Sequence, residues 1–301
     1  MKHSLHKSNL FYAMSKDNPA ALRVDAGDTI TIETNDCFLG QITSSDTVLD
    51  QLDWDRINPA TGPIHIDGIQ AGDVLKVTIE DITLEPKGVM LTGPGLGVMG
   101  DDMEKMEAKM FDIDTSEGTV SFNGLSLPLN PMIGVIGVAP EGEAVNNGTP
   151  GRHGGNMDSK KITTGATLYL PVAHEGALFG LGDVHAKMGD GEVSVSGLET
   201  GASITVTLDK AHNIKTRHPI VVDADGVYMT VSSESLDTAV DESVKEMIAL
   251  LRPHTDLSLS EMTMLMSLVG EAQINQVVDP LKTARFFVPH HVLDHYGITL
   301  G

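Results

Sequence analysis

One run of forty residues offers His153, Asn156, Asp158, His174, Asp183, His185, Asp190 and Glu192, side chains able to ligate a metal ion or move a proton. They lie in the run HGGNMDSKKITTGATLYLPVAHEGALFGLGDVHAKMGDGE. Imidazole nitrogens and carboxylate oxygens are the donors of a hard or borderline divalent ion, and the intervening glycines leave room for them to converge. Asp183 and His185 are two apart. On an extended segment both would point to one face, with Cα atoms about 6–7 Å apart, a workable ligand pair. In HGGNMD, the glycines after His153 let the backbone approach whatever the imidazole binds, and consecutive amides could hold an anion or an oxyanion. The alternative is a β-turn in which Asn156 and Asp158 cap local backbone. Asp190 and Glu192, in GDGE, miss the calcium-loop spacing and read as a turn.

Other segments carry weaker signals. Asp36 and Cys37 follow directly on a strand, a common place for site residues. A lone cysteine is most often a small buried hydrophobe, and no spacing supports a Cys37–His dyad. No nucleophile elbow of the GxSxG kind occurs. Asn58-Pro59 and Gly62-Pro63 read as a stiff loop leading to a strand that carries His65. GPGLGVMGD (93–101) lacks the Gly-Lys-Ser/Thr of a phosphate loop and reads as a structural or substrate-side glycine loop. Glu141 and Glu143 are surface carboxylates by default, and a general base if the chain folds them over a metal. His290, His291 and His295 cluster after the last strand, where exposure or a subunit contact is expected.

The elements that must position these residues are mostly strands. Asp28–Thr34, VLKVTIE (74–80), TLYLPV (167–172) and SITVTLD (203–209) alternate apolar and polar residues with period two, the pattern of half-buried antiparallel strands. AGD at 26–28 and 71–73, and TGA at 164–166 and 200–202, each place a glycine turn before a strand. Helical period appears only near the C-terminus: Leu236, Val240, Val244, Met247, Ile248 and Leu251 share a face, with Pro253 beyond. Ser258 and Glu261 form a capping-box pair ahead of Met262, Leu265, Met266 and Val269, stopped by Gly270. QINQVVD and ARFFVP read as two more strands. The expected fold is mainly β, a β-sandwich or barrel of antiparallel sheets, with an α+β C-terminal portion. The expected division is a catalytic body over 1–235 and a C-terminal portion over 236–301 packed on it.

Composition narrows the function. The 301 residues carry 20 Lys+Arg against 42 Asp+Glu, a formal charge of −22. Such a field repels phosphate backbones and anionic lipid, so no nucleic-acid or membrane partner is expected. The one cysteine rules out an internal disulfide. No run of about 18 apolar residues and no apolar leader are present, which makes the cytoplasm the expected location.

Several strings in fixed order carry a resemblance: NPATGPI, GPGLG, GVIGVAPEGE, HGGNMD, LYLPV, EGALF, GDxHAxxGDGE and VVDPLKTARF. Together they resemble the acetamidase/formamidase family of amidohydrolases, in its compact bacterial branch, over about residues 20 to 290. The resemblance implies hydrolysis of a short-chain amide, such as formamide or acetamide, to carboxylate and ammonia, and a homodimer. Asn58, Glu143, His153, Asn156, Asp158, Asp183 and His185 stand at matching positions. Met188 stands where many relatives carry Gln, and no role is carried onto His65.

With no convincing Ser or Cys nucleophile, a metal-activated water is the expected attacking group. The expected ligands are His153, Asp183 and His185, with Asp36 and Asp158 as further carboxylates, around a divalent ion expected to be zinc, with calcium as a structural alternative. Glu143 is the expected proton acceptor. Asn58, Asn156 and the Gly154–Gly155 amides are expected to bind the substrate carbonyl. Two other classes use similar residues: a metal-dependent β-sandwich oxygenase, and a non-catalytic metal- or ligand-binding β-protein.

Overall fold

The computed structural model describes residues 1–300. Two large sheets form its body. One has nine strands, in the order Lys2–Leu5, Asp28–Thr34, Ala202–Lys210, Val74–Leu84, Thr167–Pro171, Ile220–Val222, Gly226–Ser233, Lys282–Pro289 and Glu271–Gln276. The four strands expected from period-two alternation all lie in it. Their apolar faces are closed: Ile30, Ile32, Leu75, Val77, Ile79, Leu168, Leu170, Ile204, Val206 and Leu208 are fully buried. Their polar faces pair across strands, as in the Thr29–Thr207 and Thr31–Thr205 hydroxyl contacts.

The second sheet has eleven strands, and its centre is Met132–Gly137, Phe179–His185 and Ala60–Asp67. Met132–Gly137 and Phe179–His185 are buried along their whole length. They therefore lack the alternation that marks half-buried strands. Ile64, Ile66, Ile133, Ile136, Phe179, Leu181 and Val184 join the first sheet's apolar face in one core. The architecture is thus the expected sandwich, with antiparallel pairing nearly throughout. One local expectation fails. Residues 60–63 form the start of the Ala60–Asp67 strand and not a loop. Pro63 is tolerated there because the pairing with Phe179–His185 is irregular at that point.

The C-terminal helices form as the sequence pattern indicates. Leu236–Leu251 packs through Ala239, Met247 and Leu251 against Gly226–Ser233 and Lys282–Pro289. Leu259–Val269 opens on the Ser258–Glu261 capping box and buries Met262 and Met266 in the same cluster. The two strands beside them extend the nine-stranded sheet, which runs unbroken from the Lys2–Leu5 strand at one edge to the Glu271–Gln276 strand at the other. Among the described residues no helix is long and apolar enough to cross a membrane.

Candidate active site

The site grows out of the centre of the eleven-stranded sheet. Phe179–His185 is flanked by Met132–Gly137 on one side and by Glu199–Thr200 on the other, and the second pairing sets Glu199 directly opposite His185. Asp183 comes from the same strand as His185. Asp158 follows the Gly154–Asn156 strand, and Glu192 follows the Gly189–Gly191 turn. His185 Nε2 faces them all: Glu199 Oε1 at 3.2 Å, Asp183 Oδ1 at 3.5 Å, Asp158 Oδ1 at 3.9 Å and Glu192 Oε1 at 4.0 Å. All five residues are buried.

The backbone is bent to make this convergence. Asn58, Asp158, Asp183 and Glu192 all have positive φ (50°, 45°, 54° and 47°), an uncommon conformation for residues with side chains. Each costs on the order of 1–3 kcal/mol and persists only where the surroundings impose it, as happens at functional sites. Space is made by glycine. Gly134 pairs across from Asp183, and a Cβ there would lie 2.5 Å from Asp183 Oδ2 and against Asp158 Oδ1. Gly134→Ala is therefore expected to keep the fold but to force those carboxylates apart, lowering metal affinity and turnover by roughly 10–100-fold. Elemental analysis beside a kinetic assay would check it; parent-like values for both would show that the carboxylates need not stay where they are.

Electrostatics set the chemistry. Burial pushes the carboxyls of Asp158 and Glu192 well above the usual carboxylate range, and neighbouring carboxylates add to the shift. Burial, with Asp183 in the same direction, raises Glu199 to about 8. At Asp183 burial pushes upward, but the facing His185, with Glu199 and Cys37 acting in the same direction, outweighs it and the shift is downward. Burial opposes charge on His185 itself, yet Glu199 and Asp183 hold its pKa well above the ordinary imidazole value. Both oxygens of Asp158, Asp183 Oδ1, Glu192 Oε2, Glu199 Oε2 and both ring nitrogens of His185 lack any hydrogen-bond partner in the protein. Such orphaned polar atoms are expensive unless something else satisfies them. A divalent cation fits: ligand atoms of Asp158, His185 and Glu192 lie within 4.8 Å of one another, and so do those of Cys37, Asp183 and Glu199.

The cluster opens into a cavity of about 460 Å³. Asn58, Asn146, Thr149, Asn156, Asp183, Glu192, Glu199 and Asp279 supply its polar lining. Asn58 accepts a hydrogen bond from Cys37 Sγ at 2.7 Å, and its backbone carbonyl accepts one from Asn147 Nδ2. Asn156 Nδ2 donates to Asp279 Oδ2 at 3.0 Å, which leaves Asn156 Oδ1 unpartnered.

Asp158, Asp183, His185, Asn58 and Asn156 thus meet at one place. The other expected site residues lie elsewhere. His153 is buried but lines a separate depression with Glu141, Arg152 and Arg217, and burial lowers its pKa to about 4. Asp36 accepts the backbone N–H groups of Phe38 and Gly40 and so caps its own loop. Gly154 donates its amide to Gly151 O, and its missing side chain allows close approach to Ile136 O. Gly155 pairs with Ile136 in the sheet. Glu143 is exposed, outside the cavity lining.

Glu192, read from sequence as part of a turn, is buried in the cluster, and Cys37, Glu199 and Asp279 join it. Glu199 had no local pattern to reveal it, because only the antiparallel register places it against His185. Glu192 and Asp279 lay inside the quoted strings GDxHAxxGDGE and VVDPLKTARF.

Arg285, from the same string, explains how Glu192 is held. It is 1% exposed, donates to both oxygens of Asp190, and also reaches Gln273 and Asn275. Gly191 in turn donates to Asn275 O. Arg285→Ala leaves the buried Asn275 Oδ1 unpaired, while the exposed Asp190 keeps Lys160, and is expected to cost about 1–3 kcal/mol. Urea unfolding would measure that loss, and a change below about 1 kcal/mol would show that the pair does not anchor the loop.

Comparison with known proteins gives a consistent picture. The model of the acetamidase/formamidase family matches residues 2–147 and 142–295. The crystal structure of a predicted acetamidase/formamidase from Thermoanaerobacter tengcongensis superposes with a TM-score of 0.96 at 50% identity, covering 99% of both chains. An acetamidase from Bacillus halodurans gives 0.94 at 41% identity, covering 98% of this chain and all of that one. Among curated sequences, a putative formamidase of Schizosaccharomyces pombe is 29% identical over 68% of this chain and 65% of its own length. The acetamidase of Mycolicibacterium smegmatis is 26% identical over 64% of each. The matched region spans slightly under two thirds of those two relatives.

Proposed function

The chain belongs to the acetamidase/formamidase family, and from that membership we propose that it hydrolyses the C–N bond of a linear primary amide to a carboxylate and ammonia. The observation that carries the reading is the buried His185 surrounded by Asp158, Asp183, Glu192 and Glu199 at the foot of a cavity. Two relatives are named for formamide and acetamide hydrolysis, and amides of that kind are the proposed minimal substrates.

Asp158, His185 and Glu192 would hold a divalent ion, with Asp183, Glu199 and Cys37 beside it. Bound there, such an ion polarises a carbonyl oxygen and lowers the pKa of a water from about 15.7 to near 7. Zinc is the proposed ion because an imidazole nitrogen with carboxylate oxygens suits it, whereas calcium takes oxygen ligands alone. The remaining work falls to the protein. Asn58 and Asn156 face the cavity with amide groups able to orient the substrate's carboxamide. Glu199, whose Oε2 has no protein partner, can take the proton of the attacking water and return it to the departing amine. Water adds to the carbonyl carbon, the C–N bond breaks, and ammonia leaves with that proton. Glu143 is not given this role because it is exposed outside the cavity. A homodimer in the cytoplasm is the proposed setting.

The test is release of ammonia and carboxylate from formamide and acetamide by the purified protein. Equal molar amounts of the two products are expected. Absence of both across an amide panel would refute the reading.

A further inference from the structure

The cavity has two kinds of lining, polar and apolar, and the family reading above explains only the polar one. Formamide and acetamide have three and four heavy atoms, yet the cavity encloses about 460 Å³. Beside its polar groups the cavity is walled by Phe38, Trp54, Ile57, Leu91, Leu96 and Val195. This wall has its own construction. After the Asp28–Thr34 strand the chain makes a long excursion to Ala60, with two short 3-10 turns at Leu49–Gln51 and Trp54–Arg56. The excursion folds over a satellite apolar cluster containing Cys37, Phe38, Leu52, Val89 and Leu91, with Ile57 and Leu96 packed against it. Trp54, the only tryptophan, is 43% exposed while lining the cavity, so one part of its ring faces solvent and another the interior.

An apolar wall beside a few convergent polar groups is the usual lining of a site for a ligand with an apolar body and one polar head. A one- or two-carbon amide would leave that wall in contact with water. The carboxamide head must lie beside the polar groups to react, and the departing ammonia is small. The apolar lining therefore falls to the acyl group.

We infer that the site is built for primary amides whose acyl group is larger than acetyl, aliphatic or aryl, with Trp54 and Ile57 as the residues that set this preference. This rests on the amidase reading of the same cavity.

The experiment is kcat/KM for formamide, acetamide, butanamide, hexanamide and benzamide with the metal-loaded protein. Each added methylene buried on the wall is expected to raise kcat/KM, by roughly four- to tenfold per methylene until the wall is filled. Trp54→Ala should lower the hexanamide-to-acetamide ratio of kcat/KM by roughly tenfold, the loss of a large aromatic contact. Leu96→Trp, which takes up space in the same cavity, should also lower that ratio, chiefly through KM for the long amide. Because each variant is compared with itself on two substrates, a general loss of folding would not move the ratio. A kcat/KM series that is flat or falls beyond acetamide would overturn the inference while leaving the amidase reading intact. Unchanged ratios in both variants would overturn the roles of the wall residues. No turnover of any amide would instead refute the reading on which the inference rests.

Discussion

On the proposed reading, His185→Ala is expected to lose divalent-ion binding and amide hydrolysis together. The side chain is the only nitrogen donor among the four carboxylates that surround it, and it is completely buried. Its removal takes away a ligand of the ion and, in the metal-free protein, the positive partner that lowers the pKa of Asp183. The loss should exceed the roughly 10–100-fold that follows removal of a group merely hydrogen-bonded to a ligand. Asp183→Asn is the companion variant: it keeps the size of the side chain but removes charge at the point where both possible ligand groups meet. Elemental analysis and ammonia release, read on the same preparations, decide the matter. Metal content and turnover within tenfold of the parent in both variants would show that the cluster is not the reaction centre.

The second large effect concerns stability. Without a cation, the carboxyls of Asp158, Glu192, Glu199 and Asp279 all have raised pKa values, burial being the largest cause for each. A carboxyl with a raised folded-state pKa stays protonated in the folded protein while the unfolded chain ionises. Its contribution to stability is therefore complete below the unfolded value and is lost as pH climbs through the folded one. For Glu199 that window runs from 4.5 to about 8. The chelated protein should accordingly melt at lower temperature at pH 8 than at pH 5, by roughly 10 °C if Glu199 alone contributes on the order of 4 kcal/mol. A divalent ion binds the ionised carboxylates, so its addition should reverse the trend, stabilising by about 4 kcal/mol when present at a thousand times its Kd. Melting curves across pH, with and without chelator, test both parts. A chelated protein as stable at pH 8 as at pH 5 would contradict the electrostatics described for the site.

Local physics made part of this molecule readable. The Asp28–Thr34 strand has the limits its alternation indicates, and the Ser258 capping box starts its helix. Those signals are carried by neighbours in sequence. The two strands that hold the site, Met132–Gly137 and Phe179–His185, are buried on both faces and show no period, and Gly62-Pro63 concealed a strand as a loop. The site was half visible for the same reason. Asp183 and His185 are two apart in one strand and could be paired by inspection, although Asp183 leaves the extended conformation to reach the imidazole. Glu199 reaches His185 only through strand register, and Asp279 and Glu192 only through contacts between the GDGE turn and the C-terminal strands. Asp36 shows the converse. It sits where site residues often sit, yet its carboxylate is spent on the backbone of its own loop.

The claim at the centre is that the buried carboxylate–imidazole cluster works by holding a divalent ion. Dialysis of the protein against a strong chelator, elemental analysis of the product, and ammonia release from acetamide before and after adding back zinc would test it most directly. Turnover should vanish with the metal and return with about one equivalent of added ion. Undiminished turnover in protein shown by elemental analysis to be free of metal would contradict it.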